Sequence, residues 1–126
     1  MRLSTFYFKL NYMKYTIDAQ NKKIGRIASE AAALLMGKSS TSFAKNTVSD
    51  VKVEIINADK ADVNAKKKVS DNYTTYTGFR GGLNQEKLGH LIERAGMIEV
   101  LKRAVYNMIP NNKLRTPRLK NLTIKK

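Results

Sequence analysis

Residues 14–38 read KYTIDAQNKKIGRIASEAAALLMGK, and the spacing of apolar residues along this stretch decides the fold. Tyr15 and Ile17 alternate with polar neighbours, so Lys14–Ala19 reads as a short strand with one apolar face. Gln20, Asn21, Lys22 and Lys23 make a polar turn. From Ile24 the period changes: Ile24, Ile27, Ala28, Ala31, Leu34 and Leu35 recur with helical spacing, predicting an amphipathic helix to Met36. Its alanine content favours helix, and Gly37 followed by Lys38 is a stop signal. Ser39–Ser42 reads as loop. Beyond it Val51, Val53 and Ile55 share a face, and Val51–Asn57 reads as a second, buried strand.

Outward from this strand–helix–strand unit, an Asn57-Ala58-Asp59 turn leads to an expected short third strand at Lys60–Ala65. Lys66-Lys67-Lys68 reads as a solvated turn, Tyr73–Thr77 follows, and Gly78-Phe79-Arg80-Gly81-Gly82 is a loop. Two helices are predicted next. Gln85–Ala95 places Leu88, Leu91, Ile92 and Ala95 on one face, and Met97–Ile109 does the same with Ile98, Leu101, Ala104, Val105 and Met108. Pro110 forbids continuation. Asn111-Asn112 opens a basic tail in which Leu119, Leu122 and Ile124 form a last strand. The order predicts an α/β layered fold in a single domain, residues 14–126, with a basic C-terminal segment at 111–126. Residues 1–13 read as an extension, or as a start placed too early, since Met13-Lys14 opens a chain equally well. The stretch lacks the apolar core and small-residue cleavage site of a signal peptide.

Composition excludes several chemistries. The chain has 126 residues, of which 42% are apolar, enough for one modest core. It has no cysteine and one histidine, which leaves no disulfide framework, no Cys-ligated zinc and no multi-His metal cluster. No apolar run approaches the roughly 18 residues that span a bilayer. The anomaly is charge: 24 Lys and Arg against 10 Asp and Glu give 24 − 10 = +14. Self-repulsion at that level opposes compaction and points to a polyanionic partner. Most of the excess falls after residue 63, and Lys113–Lys126 contains no acid. Nucleic acid is favoured over an anionic membrane, because a membrane-lying basic helix wants interfacial Trp or Phe on a bulky face and this chain has no Trp.

Catalytic motifs fail on inspection. Gly37-Lys38-Ser39 resembles the end of a phosphate-binding loop, but Ala32 stands where its first glycine belongs. The triplet also ends a helix instead of preceding one. Asn21–Arg26 holds one glycine where a dinucleotide-binding turn needs three. His90 has Glu86 and Arg94 four residues to either side but no nucleophile assembled with it, and reads as a surface histidine. The glycine loop is more informative: Gly78, Gly81 and Gly82 let backbone approach a phosphate and Arg80 can grip it. With Lys66, Lys67, Lys68 and Tyr73 just upstream, this region suits RNA, lysines tracking the backbone and an aromatic stacking on unpaired bases.

The ordered motifs resemble those of a ribosomal family. Asp18-Ala19, Lys23-Ile24-Gly25-Arg26-Ile27-Ala28-Ser29 and Leu35-Met36-Gly37-Lys38 come first. Val53, Ile55 and Asn57-Ala58-Asp59-Lys60 follow, then Tyr73, Thr77-Gly78 and Gly81-Gly82. Ala104-Val105, Met108-Ile109-Pro110, Leu114 and Arg118-Leu119 complete the set. Over Tyr15–Ile124 the sequence is similar to the bacterial form of the universal L-thirteen family of large-subunit ribosomal proteins. The resemblance implies a three-layer α/β/α domain with a small, largely parallel or mixed sheet and basic loops. It implies binding to large-subunit (23S-type) rRNA, support of subunit assembly and translation, neighbouring ribosomal proteins as partners, a cytoplasmic location in the large subunit, and no catalysis, cofactor or small-molecule substrate. Carried onto this chain, Lys22, Lys23 and Arg26 meet phosphates at the start of the first helix, and Lys38 and Lys45 extend that surface. Arg80 with its glycines lies along an RNA groove, while Lys113, Arg115, Arg118 and Lys120 reach between RNA helices. The chain departs from the pattern at Tyr76, where the family usually has histidine, and at Tyr106-Asn107, where Lys-Gly is frequent. The competing readings are a stand-alone translational regulator bound to messenger RNA and a small phosphate-handling enzyme.

Overall fold

The computed structural model describes residues 13–126; most of the expected N-terminal extension lies outside the described residues, and Met13 already belongs to the first strand. The elements run β1 (Met13–Asp18), α1 (Ile24–Leu35), β2 (Val51–Ile56), α2 (Ala65–Ser70), β3 (Asn72–Tyr76), β4 (Leu83–Lys87), α3 (Leu88–Ala95), α4 (Met97–Met108), α5 (Arg115–Leu119) and β5 (Leu122–Ile124). Strands β1, β2 and β5 form a parallel sheet with β2 in the centre. Tyr15 stands opposite Val53 and Ile17 opposite Ile55, while Leu122 and Ile124 flank the same two β2 residues from the other side. One face of the sheet is therefore apolar in every strand, as alternation along the sequence requires.

That face packs on α1 and α4. Ile27, Ala28, Ala31, Ala32 and Leu35 of α1 are buried with Leu101 and Val105 of α4, and Ile109 closes the end. Each buried Leu, Ile or Val contributes about 1.5–3 kcal/mol of hydrophobic stabilisation. A second cluster, Leu88, Leu91 and Val100 with half-buried Ile24, Val63, Tyr73 and Ile92, seats α3 against α4. The packing order is thus sheet, then α1 with α4, then α3, so these helices share one side of the sheet. The opposite face carries Lys14, Glu54 and Thr123 and is polar. The α/β class and the parallel sheet are as expected, but among the described residues α1, α4 and α3 stack on one face of the sheet where the resemblance implied helices on both. At the end of α1, the Gly37 N–H donates to Leu34 O at 3.0 Å and the Lys38 N–H to Ala33 O at 3.2 Å, both capping bonds of a Schellman stop. Gly37 has φ +77°, and a Cβ there would lie 2.7 Å from Ser49 Oγ, so the loop returning to β2 requires glycine.

Four further expectations change. Lys60–Ala65 is not a strand: a 3₁₀ turn occupies Ala58–Lys60, and only Asp62 pairs, bridging to Lys23. Lys66, Lys67 and Lys68 are not in a turn but in α2, started by Asn64, whose side chain accepts the Lys66 N–H at 3.0 Å. Gln85 and Glu86 are in β4 rather than in a helix, paired with Thr74 and Tyr73 of β3, and the helix begins at Leu88. This hairpin buries neither face fully, so its sequence carries no apolar period to read. Leu119 ends α5 instead of joining the last strand; Pro117 sits in the first turn of that helix, where a missing N–H costs nothing. Within α4, Val100 is buried and Met108 is 48% exposed, because the helix serves both clusters rather than one.

Candidate nucleic-acid interface

The start of α1 collects three of the expected cations. Lys23 is its N-cap with extended backbone and no side-chain capping bond, and no acidic residue lies in the first turn. The positive end of the helix dipole therefore lies beside Lys22, Lys23 and Arg26, all exposed. Lys22 is spread towards Glu30 at 3.7 Å, a distance worth little at the surface. Lys23 and Arg26 have no carboxylate partner among the described residues. Nearby, Asn57 in the left-handed region donates to Asp18 Oδ1 at 3.0 Å, fastening the ends of β1 and β2. That bond, with the Gln20 N–H and then Lys22 and Lys60, holds the Asp18 carboxyl below the usual range. The Asp18 and Asn57 motif residues are thus structural.

The loop after α1 and the segment after α4 meet along a shallow groove of about 470 Å³. Met36, Phe43, Met108 and Pro110 supply apolar surface, and Lys38, Lys45, Asn112 and Arg118 supply polar groups. Lys38, Lys45, Lys113 and Lys120 are exposed. Two members of the basic tail are placed differently from expectation. Arg118 is 2% exposed, its guanidinium donating to Lys45 O and Thr47 O at 3.5 Å each. Arg115 is half-buried: it donates to Ile109 O at 2.9 Å and lies 4.3 Å from the centre of the Tyr106 ring. Both side chains therefore hold the tail against the body rather than reaching outward. A charge run reads as surface, and nothing in the sequence separates these two arginines from Lys113 and Lys120.

The third group lies on α2 and the hairpin. Lys66, Lys67 and Lys68 are exposed along a helix that buries no side chain. At the far end of β3, about 16 Å away along five strand residues, the loop presents Phe79 and Arg80 to solvent. Gly78 and Gly81 have φ of +85° and +71°, which strains any side chain there, and a Cβ on Gly82 would run into Thr77 Oγ1, so all three loop positions favour glycine. Tyr73 is not a free stacking platform: it packs in the second cluster with Arg103 at 5.7 Å from its ring centre, and burial raises its hydroxyl pKa. The sequence places Arg94 beside His90 but gives neither its bond to Glu86 nor any role for Arg103. Glu86 accepts from Arg94 Nε at 2.8 Å and Nη2 at 2.9 Å, and lies 2.7 Å from His90 Nδ1. Arg94 first and then His90 lower the Glu86 carboxyl to about 2. Spacing from Glu86 to His90 was visible, but a contact from strand to helix has no sequence period.

This arrangement defines a class: a basic α/β domain whose cations sit on loops and helix ends around a closed core, with its histidine hydrogen-bonded to Glu86. The chain belongs to the ribosomal protein L13 family, whose model matches residues 13–125. It is similar to the large ribosomal subunit protein uL13 of Pelobacter propionicus, 36% identical over 87% of this chain and 77% of that one. The uL13 of Dehalococcoides mccartyi is 38% identical over 89% of this chain and 80% of its own. That of Mycoplasmopsis synoviae is 35% identical over 98% and 87% respectively. The family is one of ribosomal structural proteins and not of enzymes, and these relatives are proteins of the large ribosomal subunit.

Proposed function

We propose that this protein binds large-subunit rRNA through its exposed cations and thereby supports assembly of the subunit and translation. The supporting observation is where the carboxylates are spent. Glu54 serves Lys14 and Lys125, Glu86 serves His90 and Arg94, Glu99 serves Arg103, and Glu30 faces Lys22. Among the described residues, Lys23, Arg26, Lys38, Lys45, Lys66, Lys67, Lys68, Arg80, Lys113 and Lys120 pair with none and are exposed. Cations left unpaired on a folded surface are available to phosphates, and each neutralised phosphate releases a counterion. Lysines act as mobile point charges and Arg80 as a bidentate fork, so the shape of the RNA backbone selects the site. Arg115, Arg118 and Tyr73 support that surface from beneath.

Sucrose-gradient fractionation of cell extracts tests the reading. Near-stoichiometric cosedimentation with large subunits, together with a steep fall of rRNA affinity with salt, is expected. Recovery only in light fractions with messenger RNA would replace it by the regulator reading.

A further inference from the structure

We infer that the groove between the loop after α1 and the segment after α4 receives one unpaired nucleotide of the bound RNA. Its base stacks on Phe43, and its phosphate lies against Lys38, Lys45 and Arg118. The inference rests on the rRNA-binding reading and goes beyond it by assigning a pocket and a mode of contact. Three observations carry it. Arg118 lines the groove yet is 2% exposed, pairs with no carboxylate among the described residues, and has an Nε with no hydrogen-bond partner. Its two bonds to loop carbonyls are long, at 3.5 Å. A buried guanidinium so weakly compensated is costly, and an anion brought to the groove removes that cost. Next, every charged group lining the groove is positive, Lys38, Lys45 and Arg118, which selects an anion. Last, the rest of the lining is largely apolar, with Phe43 exposed by 40% and Met108 by 48%. An anion joined to a flat apolar body matches both halves, and that is a nucleotide splayed out of its stack. A duplex would offer the phosphate without the free base.

The test uses the full chain and purified bacterial large-subunit rRNA. Phe43→Ala is expected to weaken binding about 5- to 150-fold, the range for losing one base–aromatic stack, without altering the salt slope. Phe43→Tyr is expected to retain binding and Phe43→Leu to lose it, which separates stacking from apolar bulk and covers the case in which the alanine variant folds poorly. The Lys38→Ala, Lys45→Ala double variant is expected to lower the slope of log affinity against log salt by up to about 0.7, the value for one single-stranded phosphate. With p-benzoylphenylalanine in place of Phe43, ultraviolet light is expected to join the chain to RNA. If the native chain binds rRNA with steep salt dependence while Phe43→Ala and Phe43→Leu bind within twofold of it, the pocket is overturned and the rRNA reading stands. Cross-links only to protein, whether a neighbour or residues 1–12 of the chain itself, also overturn it. A native chain whose rRNA affinity ignores salt overturns both.

Discussion

The parallel sheet with α1 and α4, set beside α2 and the β3–β4 hairpin, shows two ways of using sequence within one small domain. In the first region most core-facing strand and helix positions are closed off, down to 0% exposure at Ile27, Ile55, Leu101 and Val105. In the second, α2 buries nothing, and Val69, Tyr76, Phe79 and Leu83 are 60% exposed or more. The first region is shaped by what it excludes, namely water; the second by backbone chemistry, an Asn64 cap at one end and a glycine loop at the other. Stability is concentrated in the first, whereas the second carries exposed, unpaired cations on elements that bury almost nothing, so substitutions in the two should separate cleanly.

The sharpest way to break this comparison is to remove equivalent bulk from each. Leu101→Ala, at a fully buried position in the main cluster, is expected to cost about 2–5 kcal/mol in urea unfolding, since the cavity relaxes only partly. Val69→Ala, on α2, is expected to stay within about 0.5 kcal/mol. Equal losses would mean that the hairpin unit is part of the same cooperative core.

Next in size are the glycines. Gly37→Ala meets both a left-handed backbone and Ser49 and is expected to lower global stability by about 1–3 kcal/mol. Gly81→Ala meets the same backbone strain, with nothing within 4 Å of the new Cβ. Its effect is expected in amide exchange of the loop, with the global urea midpoint nearly unmoved.

The contrast also explains what could be read from the sequence. The strand–helix–strand unit was legible because burial imposes a period: Tyr15 and Ile17, the α1 stripe, then Val51, Val53 and Ile55. The hairpin was not, because Thr74, Thr75, Asn84 and Gln85 face solvent and owe no period to a core. Helical spacing from Leu88 onward ran backward over Gln85 and Glu86 for the same reason. Among the candidate interface residues, Lys38, Lys45, Arg80 and Lys113 were correctly placed at the surface, from the glycine loop, the acid-free tail and the family resemblance. Arg115 and Arg118 were not, since only tertiary packing distinguishes a guanidinium beneath a loop from one above it. Phe43 was passed over inside a Ser/Thr-rich loop because a lone aromatic there has no pattern, and only the groove gives it neighbours.

A smaller effect tests whether the second region is free to carry RNA contacts without holding the fold. Replacing Lys66, Lys67, Lys68 and Arg80 by Ala together removes exposed, unpaired cations. It is expected to leave the urea midpoint unchanged and to reduce the salt slope of rRNA binding by up to about 0.9 for each phosphate no longer neutralised. An unchanged slope would move the RNA surface away from the hairpin and towards α1 and the groove.

The smallest effect expected is in acid, where each region has one carboxylate pair under the same chemistry. Lys125 first and Lys14 next lower Glu54 to about 2 on the polar face of the sheet, as Arg94 and His90 do for Glu86 at the foot of the hairpin. A carboxylate with a depressed folded value contributes stability that is fully present above its unfolded value near 4.5 and lost as pH falls towards 2. The partners of both carboxylates are largely exposed, which leaves them open to screening, so the slope should shrink in high salt. Glu54→Gln is expected to flatten the fall in urea midpoint between pH 4.5 and 2, because β2 unfolds only with the core. Glu86→Gln is expected to flatten instead the acid-induced rise in amide exchange across β3 and β4, with the global midpoint following the native curve. If Glu86→Gln altered the midpoint as much as Glu54→Gln, the hairpin and the sheet would melt as one unit, and the separation of stability from charge would fail.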